Sequence, residues 1–280
     1  MRQKEGDKMK LCLVLITEML EDAHDFMFSM VQQSFGRVLR PDTEVVLKPI
    51  KRGLKGDNPL DFDNPYFAFL SKGAIIEAMI EAEREGFDAV WVNCFGDPGV
   101  KEARAVVGIP VFGPAESTMH FACQLGRKFA VITANMPGQV AQVEEQVRLH
   151  GLQDRIIPGG VRPDRHPFVE TWEKGLEDPK FAADSVAEGA RECVADGADV
   201  IVVGCCGTGP LCSMAGLNKI TVGGQDVPIL DPVMVVAKTA EMAVDIRKAT
   251  GLPVPSRVRG YALPSKEDAI KVRSLFGLPT

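Results

Sequence analysis

The feature of this sequence that most constrains its fold is a short pattern that occurs twice, 111 residues apart. The two copies are Gly86-Phe-Asp-Ala-Val-Trp-Val-Asn-Cys94-Phe-Gly96 and Gly197-Ala-Asp-Val-Ile-Val-Val-Gly-Cys205-Cys-Gly207. Each copy is an apolar run that ends at a cysteine, so each thiol is expected at the carboxyl end of a buried strand. Open α/β folds bind their ligands at that end of the sheet.

The repeat extends over most of the chain. Apolar runs at 10–17 and 128–133 predict two further buried parallel strands, and the threonines that end them are 116 residues apart. The segment Ile109–Pro114 recurs as Val227–Pro232, displaced by 118 residues. Because these offsets agree within a few residues, the chain consists of two copies of one unit with small insertions between them.

Helix patterns lie between the strands. Apolar residues with helical spacing precede each cysteine strand, and each of these helices ends before a glycine. Pro114 and Pro232 start two further helices, since proline already holds the backbone angle of a first turn. Asp97 and Pro98 predict another helix directly after Cys94, with Asp97 as its cap.

Strands that alternate with helices predict an α/β fold with right-handed crossovers. The duplication predicts two similar domains, each a four-stranded parallel sheet with helices on both faces, related by pseudo-twofold symmetry around an active-site cleft. We expect the first domain at 1–113 and the second at 114–231, with a C-terminal helix in 232–280 joined to the first. The segments 51–70 and 158–179, rich in Pro, Gly, Asn and Asp, are interpreted as cleft-edge loops or lids, with ordinary surface loops as the alternative.

Composition indicates an ordinary globular protein. The chain has 280 residues, of which 45% are apolar, and a formal net charge of −6. This balance gives no electrostatic reason to expect nucleic acid or an anionic membrane surface as a partner. Seven cysteines, an odd number without a regular framework, favour free thiols and a cytoplasmic location.

Two cysteines in equivalent places predict acid and base chemistry on one small-molecule substrate. The free amides and the positive end of a helix dipole at each strand-to-helix turn favour a thiolate, which is the reactive form of cysteine. A thiolate and a thiol on opposite faces of a carbon next to a carbonyl could remove a proton and deliver another. We therefore interpret Cys94 and Cys205 as the catalytic pair.

Several neighbouring residues are candidates for substrate binding. The amides of the cysteine turns could hold an enolate or carboxylate oxygen, and residues after the first strand of each half lie at the same edge of the sheet. Cys206 is included because either member of the Cys205-Cys206 pair could face the cleft. These candidates are Thr17, Glu18, Phe95, Gly96, Thr133, Asn135, Cys206, Gly207 and Thr208.

Other sites have weaker support. The sequence has no paired Cys-x-x-Cys spacing and no histidine pair four residues apart, so we expect no metal. The run Gly207–Cys212 resembles the start of a dinucleotide fingerprint but has Cys212 where the last glycine belongs. Basic residues in the two predicted loops could pair with a substrate carboxylate, although solvated surface charges are the simpler interpretation. They are Lys51, Arg52, Arg162 and Arg165.

The cysteine motifs resemble those of a known family. The segment Asn93–Gly99, followed by Ala103 and Arg104, resembles the first catalytic motif of hydantoin racemases, and Val203–Gly207 resembles the second, whose family form is Gly-Cys-x-Gly. The resemblance covers roughly residues 84–245 and places the chain within the aspartate, glutamate and hydantoin racemase superfamily. It implies a cofactor-independent racemase with two catalytic cysteines, commonly a homo-oligomer, whose default substrate is a 5-substituted hydantoin.

The sequence also departs from that family. Ile16–Met19 occupies the place of the usual Ile-Asn-Pro-Asn turn, and Cys94-Phe-Gly lacks the Cys-Asn-Thr of glutamate racemases. A related small amino-acid derivative is therefore an alternative substrate. A decarboxylase or cis-trans isomerase of the same superfamily is an alternative activity, and a noncatalytic protein that binds a small molecule or nucleotide is a further alternative.

Overall fold

The computed structural model describes residues 8–18, 21–56 and 58–279 of the chain. Two sheets with surrounding helices make up the molecule. The elements of the first half are β1 (Met9–Val14), α1 (Glu21–Phe35), β2 (Thr43–Lys48), α2 (Pro65–Arg84), β3 (Ala89–Val92), α3 (Val100–Ala103) and β4 (Val111–Phe112). Those of the second half are α4 (Pro114–Leu125), β5 (Phe129–Asn135), α5 (Gln139–Leu149), β6 (Ile156–Pro167), α6 (Phe168–Glu177), α7 (Pro179–Ala195), β7 (Val200–Gly204), α8 (Thr208–Met214), β8 (Lys219–Val222), β9 (Gln225–Leu230), α9 (Pro232–Thr250) and α10 (Lys266–Leu275).

The predicted α/β class is confirmed. Sheet 1 has the order β2-β1-β3-β4 and is parallel throughout, and sheet 2 has the order β6-β5-β7-β9-β8. The cysteine strands β3 and β7 are central in their sheets. Each lies beside the first strand of its own half, β1 or β5, so the candidate residues of these strand ends meet at one edge of each sheet.

Sheet 2 has a fifth strand that the sequence pattern did not predict. β8 pairs antiparallel with β9 through the two-residue turn Gly223-Gly224. Both glycines have positive φ, 58° and 78°, as the preferred turn of a two-residue hairpin requires. The expectation of four parallel strands therefore holds for sheet 1, whereas sheet 2 adds an antiparallel edge strand.

Both sheets are buried on both faces, and alternate residues of one strand enter different cores. In β1, Leu11 and Leu13 belong to a large central core that also contains Trp91 and Phe129. The intervening Cys12 faces a second core formed with α2, and sheet 2 has a corresponding core against α7. This explains the uninterrupted apolar runs, because a parallel strand covered on both faces has no polar side.

The helices α4 and α9 join the two sheets. The helix α4 packs on β5, β7 and β9 of sheet 2, whereas α9 packs on β1, β3 and β4 of sheet 1. Both begin at the predicted prolines and are followed by Gly126 and Gly251. The helices α4 and α9 also pack on each other, which joins the two sheets through the central core. The division of the chain at residues 113 and 231 remains a prediction.

Two segments expected to be loops contain regular structure. Residues 158–179 form the end of β6 and all of α6, and residues 51–70 include a 3₁₀ helix, Pro59–Asp63, and the start of α2. The loop prediction for 158–179 is wrong because the prolines of this segment lie in a strand, β6, and at its end. They are tolerated because β6 is an edge strand of sheet 2, where the missing N–H groups need no partner strand.

The helix expected directly after Cys94 is shorter and begins later. Its first residue is Val100, after Gly99 with a positive φ of 78°, and it has no side-chain cap. The carboxylate of Asp97, predicted to cap it, instead binds the first turn of α4.

No helix in the described part of the chain is long and apolar enough to cross a membrane.

Candidate active site

Cys94 and Cys205 occupy equivalent turns in the two halves. Cys94 follows β3 and Cys205 follows β7, and both side chains are partly exposed. The two thiols are close enough for the charge of Cys205 to affect the ionisation of Cys94. The structure thus brings together the two residues that the repeat singled out.

Burial keeps the thiol of Cys94 protonated, so the expectation that the amides of its turn would favour a thiolate is wrong for this residue. Burial raises the pKa of Cys94 to about 12, although a hydrogen bond from the N–H of Gly96 opposes the shift. The charges of Asp97 and Cys205 raise this pKa further. The thiol of Cys94 is therefore protonated at neutral pH.

The second turn separates the two adjacent cysteines. Cys206 is only 4% exposed and packs in the central core, and burial raises the pKa of its thiol well above the ordinary value. Cys205 keeps access to solvent, with Gly207 beside it. The geometry therefore favours Cys205 as the partner of Cys94.

The ring of Trp172, on α6, covers the second turn. A Cβ atom added to Gly207 would lie 2.8 Å from Cζ3 of Trp172 and 3.7 Å from Sγ of Cys205. The indole, stacked on Phe168 and half-buried, therefore stands beside the candidate catalytic thiol. Only a glycine at 207 allows this approach.

Of the other predicted binding residues, three are buried and two are partly exposed. The hydroxyl of Thr133 donates to the carbonyl of Gly204, 3.0 Å away, and is buried. Phe95 lies in the central core, and Thr208 is the buried first residue of α8. Asn135, which ends β5, is partly exposed at the strand edge, as is Gly96 in the first turn.

Thr17 and Glu18 hold the loop that follows β2. The carbonyl of Thr17 accepts the N–H of Ile50 at 3.1 Å, and the N–H of Glu18 donates to the carbonyl of Leu54 at 2.8 Å. The carboxylate of Glu18 accepts the N–H of Gly53 at 2.8 Å. In this structure these residues fix the loop that follows β2.

The basic residues suggested for carboxylate binding form ion pairs with neighbouring helices. Lys51 pairs with Glu81, and Arg162 with Asp196. Arg165 pairs with both Glu188 and Glu192, and no ion pair is seen for Arg52 in the described part of the chain. Surface ion pairs therefore account for three of the four basic residues.

Among the described residues, no cluster of three or more His, Cys, Asp or Glu side chains could hold a metal ion.

Comparison with known families decides the broad identity of this site. Residues 30–240 match the family described as Asp/Glu/Hydantoin racemase. The chain belongs to this family. It is an isomerase of the racemase type, as the resemblance of the cysteine motifs implied.

Individual relatives support the family assignment of this racemase. It is 32% identical over 243 residues to a hydantoin racemase of Pseudomonas sp. (strain NS671), covering 85% of this chain and 87% of the relative. A hydantoin racemase of Rhizobium meliloti is 31% identical over 208 residues, with 74% and 79% covered. An allantoin racemase from Klebsiella pneumoniae shares the fold with a TM-score of 0.71 at 21% identity, covering 92% of this chain and 94% of the other.

Sequence reasoning missed Asn93 in the racemase site. This residue directly precedes Cys94, and its Oδ1 atom is buried without a hydrogen-bond partner among the described residues. An unsatisfied polar atom of this kind costs free energy unless a ligand or water satisfies it. The signal was available in the repeat, because Asn93 corresponds to Gly204 and is therefore a difference between the two turns.

Proposed function

We propose that this racemase interconverts the enantiomers of a 5-substituted hydantoin, or of a closely related small amino-acid derivative, through Cys94 and Cys205. The observation that carries the proposal is the pair of partly exposed thiols in equivalent turns, near enough to interact electrostatically. In this proposal the two thiols act on one bound molecule from different sides, as inversion at a single carbon requires.

The reaction is a transfer of two protons. The thiolate of Cys205 removes the proton from the ring carbon that carries the substituent, and the electron pair moves onto the neighbouring carbonyl as an enolate. The thiol of Cys94 then donates its proton to the opposite face of the same carbon. The product is the other enantiomer, and the two sulfurs have exchanged protonation states. The reverse direction uses the same residues with their roles exchanged.

The chemistry of the relatives favours this substrate class. Two relatives are named hydantoin racemases and the structural neighbour is named an allantoin racemase. Allantoin is itself a hydantoin with a substituent at C5, so both names share an acidic C–H next to a ring carbonyl. The free Oδ1 of Asn93 provides an acceptor for a ring N–H next to Cys94.

Single-cysteine variants and a substrate panel test the proposal. We expect wild-type protein in deuterium oxide to racemise a 5-substituted hydantoin while deuterium enters C5, and we expect Cys94→Ala and Cys205→Ala each to abolish racemisation. Cys123→Ala, which removes another partly exposed free thiol, is the matched control and should keep full activity. Decarboxylation of a malonate or isomerisation of maleate, with no change in any hydantoin, would instead identify one of the alternative activities.

The cellular setting is part of the same proposal. Seven unpaired cysteines suit a reducing compartment, so we propose a cytoplasmic location. We also propose a homo-oligomer, as is common in the family, and light scattering of the purified protein at several concentrations would measure its mass directly. We expect activity without an added cofactor.

A further inference from the structure

The helices α4 and α9 occupy equivalent places in the two halves, but the carboxylates that cap them come from residues that are not equivalent in the repeat. At the start of α9, Asp231 is the cap residue itself, and its Oδ1 accepts the N–H of Val233 at 2.9 Å. The corresponding residue before α4 is Gly113, which has no side chain to do this. The sequence offers the comparison directly, because Ile109–Pro114 repeats as Val227–Pro232.

Asp97 supplies the missing carboxylate from the turn of Cys94. Its two oxygens accept the N–H groups of Ala115 and Glu116, each at 2.9 Å. The 111-residue offset of the cysteine motifs aligns Asp97 with Thr208, which is uncharged. In the second half the cap carboxylate belongs to Asp231, at the end of a strand. In the first half it belongs to Asp97, in the turn of Cys94.

The backbone around Asp97 is shaped for this contact. Its φ of 49° lies in the left-handed region, which residues other than glycine adopt at a cost. Its N–H donates to the carbonyl of Cys94 at 3.1 Å, which closes the turn. A Cβ atom on Gly113 would lie 2.2 Å from Cγ of Asp97, so the glycine leaves space for the incoming carboxylate.

We propose that Asp97 is a positioning residue, which fixes the turn of Cys94 against the first turn of α4 and so places the donor thiol. This inference rests on the proposed function, because it assigns Asp97 to the same reaction. The carboxylate adds an electrostatic effect, since its charge raises the pKa of Cys94 beyond the larger effect of burial. Asp97 therefore acts on the Cys94 thiol in two ways: it fixes the position of the turn, and its charge favours the protonated thiol.

Other ionisable groups face Asp97. Glu116 on α4 forms an ion pair with Arg104 at 2.6 Å, and Arg104 also donates from Nε to the carbonyl of Val111 at 3.0 Å. Burial raises the pKa of Asp97 to about 7, and the charges of Glu116 and Arg104 act on it in opposite directions. The buried thiol of Cys206 also feels the charge of Asp97.

An exchange of Asp97 and Gly113 separates structure from positioning. Asp97→Gly removes the cap while suiting the positive φ at this position, and Gly113→Asp alone brings two carboxylates into collision, so each single variant should melt at a lower temperature. The double variant Asp97→Gly with Gly113→Asp puts the cap carboxylate where Asp231 has it in the second half and should regain most of the lost melting temperature. Its kcat should nevertheless stay roughly tenfold or more below wild type with KM little changed, because the Cys94 turn is no longer tied to the helix.

Thiol alkylation provides a readout that needs no substrate. In Asp97→Asn, which keeps one acceptor oxygen and is expected to fold, the rate of Cys94 alkylation by iodoacetamide should rise severalfold at pH 8, measured by peptide mass spectrometry. Glu102→Gln removes an exposed charge from the following helix and serves as the matched control, with an unchanged rate.

Three results would overturn the inference: full recovery of both melting temperature and kcat in the double variant, no recovery of its melting temperature, or unchanged Cys94 alkylation in Asp97→Asn. Failure of the proposed function is a different result, in which wild-type protein racemises no hydantoin. The alkylation and melting experiments still decide the role of Asp97 in that case.

Discussion

Asp63 and Gly138 connect the first half of the racemase to the second. Both carboxylate oxygens of Asp63 face the backbone N–H of Gly138, at 2.9 and 2.8 Å. Gly138 directly precedes α5, whereas Asp63 ends the 3₁₀ helix of the loop that Thr17 and Glu18 hold at its other end. The loop is therefore anchored to both halves of the chain.

The anchor gives the first prediction. Asp63→Ala should release the loop, because the carboxylate that accepts the N–H of Gly138 is lost, at a cost of about 1.5 kcal/mol in unfolding free energy. Limited proteolysis within residues 51–63 should become faster, and KM should rise more than kcat falls. Asp61→Ala, in the same 3₁₀ helix, is the control. Equal proteolysis rates in wild type and Asp63→Ala would show that the contact does not hold the loop.

Trp172 gives a prediction about substrate fit. The chain has two tryptophans, and Trp91 is fully buried in the central core while Trp172 lies beside Gly207. Binding of a 5-substituted hydantoin should therefore change the fluorescence of Trp172, and Trp172→Phe should remove that change while the emission of Trp91 persists. If the variant still shows the full ligand-dependent signal, the indole does not border the site.

The ionisation of Asp97 predicts a pH dependence of stability. Burial raises the pKa of Asp97 from the ordinary 3.8 to about 7 in the folded protein. A folded carboxyl that holds its proton more tightly than the unfolded chain contributes stability at low pH and loses it as the pH rises through the folded pKa. Each pKa unit corresponds to about 1.4 kcal/mol.

Urea unfolding at pH 5 and pH 8 measures this effect. The difference in unfolding free energy between wild type and Asp97→Asn should shift in favour of wild type at pH 5, where folded Asp97 is protonated. A difference that is the same at both pH values would mean that Asp97 titrates normally in the fold.

The fold was predictable from the sequence because its strongest signals are local. Pro114 and Pro232 begin two of the predicted helices, and Asp231 accepts a backbone N–H of the second. Asn64 and Asp178 also precede a proline and accept backbone N–H groups of the helices they precede, although they lie in segments that we interpreted as loops. The apolar strands and the repeat offsets then fix the order of the elements. Residues within one turn of each other decide these features, so the pattern alone reveals them.

The rest of the site depends on contacts that are distant in sequence. Asp97 lies next to a proline and so has the signature of a local cap, yet its carboxylate binds residues 18 and 19 positions later. The place of Trp172 follows from the packing of α6, in a segment whose prolines indicated a loop. Only the mismatch between Gly113 and Asp231 in the repeat pointed to the exchanged cap.

The central claim, that two cysteines act on opposite faces of one carbon, is tested most directly by the fate of deuterium during the first turnovers. A single enantiomer of the hydantoin is racemised in deuterium oxide, and reactant and product enantiomers are separated and analysed by mass spectrometry. With Cys94 and Cys205 as separate donor and acceptor, the product should carry deuterium at C5 while the remaining reactant keeps its hydrogen. Equal deuterium in both enantiomers from the earliest times would show that a single base removes and returns the proton, and would contradict the account.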